Sequence, residues 1–163
     1  MKALREAGGT LYSEFGGLDE TAVRHRPAEG ELSIKEIAAH LRDAEELALL
    51  QLTAAVEEPE KPLPFWDIDV LPFERDYRSI NLRRALGELR NLRRETTSLL
   101  WMLRDWEWRS EARHRYRGTI TIETIARELA QHDLEHLWQV RRLKFELLEA
   151  ARETSGGDFA QPL

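Results

Sequence analysis

Helix-breaking residues in this chain are grouped, and their grouping limits the folds open to it. Gly8-Gly9, the stretch from Gly16 to Gly30, the stretch from Pro59 to Pro72, Gly118 and Gly156-Gly157 hold every glycine and proline except Gly87 and Pro162. The long segments between them repeat apolar residues at spacings of 3 and 4, with no period-two alternation and no tandem repeat. The pattern predicts an all-α chain. Its 163 residues suffice for one domain that buries its own core without staples.

Four helices follow. The first, about residues 2–15, places Leu4, Ala7, Leu11 and Phe15 on one face, and Gly8-Gly9 weakens it by roughly 1 kcal/mol per glycine. A loop with a short turn from Asp19 comes next. Ser33 and Glu36 fit the S-x-x-E capping box and open a helix to about Val56, with Ile37, Leu41, Ala44, Leu47 and Ala48 inward. Residues 57–77 carry four prolines and make a long connection. At about 3.3 Å per residue this connection can return along the bundle and leave the second and third helices parallel. The third helix, about 78–105, has the stripe Leu82, Leu86, Leu89, Leu92, Thr96, Leu99 and Leu103, with Gly87 read as a point of close helix approach. Residues 106–118 read as a solvated loop. Thr121 caps a fourth helix to about residue 152, and 154–163 read as a flexible tail to a single domain, 1–153. The fold expected is a four-helix bundle with a long crossover between helices 2 and 3.

The chain has no cysteine, which removes disulfides, thiol nucleophiles, zinc fingers and iron–sulfur clusters. A net charge of -6 argues against a nucleic-acid partner. No apolar run is long enough for a membrane span, and the N-terminal residues lack a secretory h-region, so a cytoplasmic location is expected.

Histidine is then the dominant candidate ligand. His25 and His114 stand in polar contexts and read as exposed. The other three fall on apolar stripes. His132 and His136 are spaced i, i+4 within the series Ile125, Leu129, His132, His136, Val140, Leu143, and His40 continues the series Ile37, His40, Ala44, Leu47. Burying an unpartnered imidazole costs about 1–3 kcal/mol, so three on inward faces require an explanation. On spacing alone, a metal site and three hydrogen-bonded core histidines both account for the pattern. HDLEH also lacks the Glu that follows the first His in HExxH.

ELSIKEIAAHLRDAEE, RRALGELRNLRRETTSLL and GTITIETIARELAQHDLEHLWQVRRL, together with RHRPAEGELS, resemble the DinB/YfiT-like superfamily over about residues 10–150. The resemblance implies a divalent metal (Zn, Ni, Fe or Mn, which it does not distinguish) held by His40, His132 and His136. It implies a small-molecule substrate, a homodimer, and activity as a thiol S-transferase or a hydrolase. A low-molecular-weight thiol is a possible cosubstrate, since the chain has none of its own. The alternative is a non-catalytic metal-binding or stress-response interaction module.

Around the histidines, Glu128 is a candidate to orient His132 and Gln139 to line the rim. Glu36 is explained by its capping box. Asp43, at i+3 from His40, reads as an exposed acid or one that reaches the site, Asp133 and Glu135 as surface or interface residues, and Arg93-Arg94 as a solvated face unless one of them binds an anionic cosubstrate. Phe65, Trp66, Asp67 and Asp69 on the crossover read as a lid or pocket wall, or as a cover for the bundle.

Overall fold

A computed structural model describes residues 2–156. Four long helices form the bundle: α1 (Lys2–Glu14), α3 (Ile34–Glu57), α5 (Leu82–Met102) and α6 (Ile122–Gly156). Two short helices, α2 (Glu20–Arg24) and α4 (Leu71–Glu74), lie in the connections. The capping chemistry sets the starts. Asp19 accepts from the Ala22 amide, Asn81 from the Arg84 amide and Thr121 from the Thr124 amide. Ser33 and Glu36 close both halves of the capping box.

Two apolar clusters fix the helix directions. One joins Leu4 at the start of α1 and Ile125 and Leu129 at the start of α6 to Leu52 and Ala55 at the end of α3 and Leu100 at the end of α5. The other joins Leu11 of α1, Phe15 just after it, and Val140 and Leu143 of α6 to Ile37 and Leu41 early in α3 and Leu89 of α5. Thus α3 and α5 run parallel, as the long crossover allows, and α1 and α6 run opposite to them. A third, smaller cluster of Ala39, Leu71 and Tyr77 pins the crossover to α3.

The expected solvated loop at 106–118 holds a β-hairpin instead. Strands β1 (Glu111–His114) and β2 (Gly118–Thr121) pair antiparallel, and Ala112 and His114 turn inward. Gly118 at φ 72° supplies the left-handed residue that a three-residue hairpin loop requires. Leu63 of the crossover donates its amide to the Arg113 carbonyl, so hairpin and crossover are joined.

Gly87 is not a close-approach point, because a methyl group there would meet nothing within 4 Å. The close approach is at Gly8, where the Arg93 guanidinium lies 3.0 Å from the position a Cβ would take. Residues 154–156 of the expected tail belong to α6, which runs to Gly156; the rest of the expected tail lies outside the described residues.

Candidate metal centre

The two main apolar clusters leave a polar layer between them at mid-bundle. Leu129 belongs to one cluster and Leu137 to the other, and His132, Asp133 and His136 lie between. Facing them are His40 and Glu45 of α3 and Arg93 of α5. The layer has two halves with opposite chemistry.

One half is sealed. Arg93, 7% exposed, donates from Nε and Nη2 to Glu45 at 2.9 and 2.6 Å and from Nη1 and Nη2 to Asp133 at 2.6 and 3.0 Å. Its Nη1 also donates to the Leu4 carbonyl at 3.1 Å. Burial opposes the charge on this guanidinium, and the two carboxylates outweigh that and raise its pKa. Three readings are corrected here. Arg93 is neither solvated nor free to bind an anionic cosubstrate, and Asp133 is not a surface acid. The α6 helix is covered on two sides, so a residue 100° from the histidine face is still buried. Asp43 is likewise buried, accepting from the Tyr77 hydroxyl at 2.5 Å and from Arg42 and Arg75. Arg94 and Glu135 are exposed as expected.

The other half is the histidine cluster. Nε2 of His132 lies 3.1 Å from Nε2 of His40 and 3.2 Å from Nε2 of His136. One potential ligand nitrogen from each ring falls within 4.8 Å of the others. The Nδ1 of His136 lies 2.8 Å from Oε1 of Gln139, an acceptor, so this nitrogen carries the proton and the neutral ring turns a lone pair inward from Nε2. Nδ1 of His132 has no protein partner, and Nδ1 of His40 has none of good geometry, although the Ile68 backbone approaches that ring. A single proton on His132 Nε2 serves only one of its two short contacts, so the rings do not satisfy one another.

Burial pushes all three imidazoles toward the neutral form. It lowers His132 to about 3, aided by the charges of His136 and His40, and His40 to about 4, aided by His136. His136 is also lowered, against the opposing hydrogen bond to Gln139. Neutral imidazole is the ligating form. Nitrogens about 2.0–2.1 Å from one ion, at angles of about 90–110°, lie roughly 2.8–3.4 Å apart. Two of the three separations fall in that range and all three nitrogens lie within 4.8 Å of one another, so the rings converge as ligands of a small divalent cation would, with a small closing movement of the outer pair.

A cavity of ≈ 630 Å³ opens beside His132. The crossover supplies one wall with Phe65, Trp66, Asp67 and Asp69, α3 supplies Ala48, and α6 supplies Leu129. The crossover aromatics therefore wall a pocket as well as covering the bundle. The carboxylate of Asp69 acts electrostatically on both His40 and His136.

Glu128 is not the partner of His132. It takes two hydrogen bonds from Arg117 at 2.7 and 2.6 Å and lies on the pocket wall. The partner role falls on Gln139, toward His136. His25 is exposed as expected, but His114 is 8% exposed, packed edge-on against Phe65 at 5.6 Å between ring centroids. Its place in β1 brings it to the cavity. The run Thr119-Ile120-Thr121 after Gly118 is the β-branched signal for β2, the partner strand of β1.

No curated protein matches this chain in sequence. The sequence model of the DinB superfamily matches residues 3–140. The chain belongs to the DinB superfamily. Among solved structures, this DinB-superfamily chain is similar to YfiT from Bacillus subtilis, described as "a probable metal-dependent hydrolase with an unusual four-helix bundle topology". The TM-score is 0.81 at 17% identity, covering 90% of this chain and 84% of that one. The likeness establishes the four-helix bundle. No helix of the described residues is long and apolar enough to cross a membrane.

Proposed function

We propose that this protein is a divalent-metal-dependent hydrolase in which His40, His132 and His136 hold the ion and the adjoining cavity receives the substrate. The observation that carries the reading is the convergence of three neutral imidazoles, with the His136 lone pair aimed inward by Gln139, at the wall of a ≈ 630 Å³ cavity. The description of YfiT and the family assignment support it.

A bound divalent ion would supply Lewis acidity to a substrate carbonyl and acidify a water or a thiol. The chain's own residues do the rest. Gln139 holds the His136 ring and its tautomer. Trp66 and Phe65 wall the cavity. The sealed Arg93 network ties α3, α5 and α6 together beside the ligands. Thiol transfer would use the same ion with a borrowed thiol as nucleophile, and no residue in the cavity favours it over hydrolysis. An open cavity at His132 weighs against a non-catalytic module.

Elemental analysis of the purified protein tests the centre. Near-stoichiometric metal is expected in the wild type and loss of it in His40→Ala and His132→Ala; unchanged metal in both variants would sink the triad. Hydrolysis of an ester and amide panel by the reconstituted protein, abolished by a chelator and restored by metal, tests the reaction.

A further inference from the structure

We infer that the start of α3 holds a second site, for a phosphate group, formed by Lys35 and Arg78 with the first amides of the helix. It lies apart from the histidines and shares no wall residue with their cavity.

Lys35 is the second residue of α3 and is 3% exposed. No hydrogen bond or ion pair engages its side chain among the described residues. A buried ammonium without a partner is destabilising, and the positive end of a helix is the least favourable place for one. The ammonium is not sealed away as the unpartnered nitrogens of His40 and His132 are. It meets a pocket of ≈ 190 Å³ lined by Arg24, Arg26, Ser33, Lys35, Glu36 and Arg78.

Four cations line that pocket against one acid, and the acid is already taken. Both oxygens of Glu36 accept from Arg26, and one also accepts from the Ser33 amide. Arg24 is held by Glu20 on its own helix. Arg78, exposed on the 3-10 turn Tyr77–Ser79, has no carboxylate partner among the described residues. Lys35 and Arg78 are therefore two uncommitted positive charges on one space. The backbone adds donors. The Ser33 hydroxyl serves the Glu36 amide and the Ser33 carbonyl serves the Ile37 amide, which leaves the Ile34 and Lys35 amides of the first turn without a partner among the described residues.

An ammonium, a guanidinium and free helix amides together make a receptor for a compact oxyanion. A phosphate dianion answers both charges, where chloride or a carboxylate answers one. The pocket is smaller than the roughly 300 Å³ at which sites for drug-sized ligands begin, so it takes the phosphate group and leaves any larger body outside. The bound ion would join the segment before α3, the helix itself and the end of the crossover, since each supplies part of the wall.

Inorganic phosphate, titrated calorimetrically into the purified full-length protein in chloride buffer of matched ionic strength, is the probe. Binding on the order of millimolar or tighter is expected. Lys35→Met, which keeps the bulk of the stem, and Arg78→Gln should each weaken it about tenfold. Arg78 is exposed, so its variant is expected to fold and decides the case if Lys35→Met does not. His132→Ala should bind phosphate as the wild type does, which separates this site from an ion held by the histidines. Phenyl phosphate distinguishes the sources: binding as tight as that of inorganic phosphate marks the end group of a larger ligand, and its exclusion marks the free ion. No binding at about 10 mM phosphate, binding unchanged in Arg78→Gln, or binding lost in His132→Ala would overturn the inference.

Discussion

Gln139 is held 2.8 Å from Nδ1 of His136, one helical turn along α6, and through that contact sets which nitrogen of the ring faces His132. Partners of this kind commonly change metal affinity about 10–100-fold when removed. Gln139→Ala should therefore weaken metal binding by a factor in that range without unfolding the chain. Gln139→Glu, which keeps an acceptor, should recover most of it. Competition with a chelator of known affinity measures both, and equal affinities in all three proteins would show that Gln139 does not orient the ring.

Arg93 holds two buried carboxylates, and removing it leaves both unpaired. Arg93→Met should lower stability by about 3–5 kcal/mol. Replacing Glu45 and Asp133 with apolar residues in the same chain should recover much of that loss, because the desolvated charges are then gone. Denaturant unfolding of the single and triple variants gives the comparison. A single variant within 1 kcal/mol of wild type, roughly the scale of surface ion pairs, would contradict it.

The glycines of α1 differ in what surrounds them. Gly9 is exposed and a methyl group there meets nothing, so Gly9→Ala should stabilise by about 0.5–1 kcal/mol through helix propensity. A methyl at Gly8 would press on the pinned Arg93 guanidinium. Gly8→Ala should thus lose stability in spite of the same propensity gain. Thermal melts of the two variants should move in opposite directions.

Glu36 gives the fold an acid limb. Burial alone would raise its carboxyl, but hydrogen bonds from Arg26, from the Ser33 amide and from the Ser33 hydroxyl outweigh burial and hold its pKa below the ordinary 4.5. A depressed carboxylate contributes stability above its unfolded pKa and loses it as pH falls through the folded one. Arg26 is raised and stays charged throughout. Glu36→Gln should be less stable than wild type at neutral pH, and the gap should close below about pH 4.5. A gap of constant size down to pH 3 would exclude this linkage.

The features legible in the sequence were those built from local rules. The capping box at Ser33, the cap at Thr121, the short turn at Asp19 and the parallel arrangement of the second and third helices all follow from short-range chemistry and chain length. The three histidines were legible because each broke an apolar stripe at helical spacing. Arg93 and Asp133 break the same rule from the other side. They are charged residues in an interior that the pattern marks as apolar, and only each other's position across two helices makes their burial affordable. The hairpin was hidden because its strands are four residues long and β1 carries a single apolar side chain, Ala112. Glu128 was misplaced because Arg117 of the hairpin claims it, and that hairpin was unseen.

The clasp between first and last helices has a consequence for the newly made chain. Glu14 of α1 is gripped by Arg141 and Lys144 of α6, and His40 meets His132 across 92 residues of sequence. At about 5–20 residues per second, a ribosome delivers the second histidine several seconds after the first. During that interval α3 has α5 as a partner, α1 still lacks α6, and the histidine cluster has one member. The three histidines therefore come together only when α6 joins the bundle, which makes the cluster a late product of folding and not a nucleus for it.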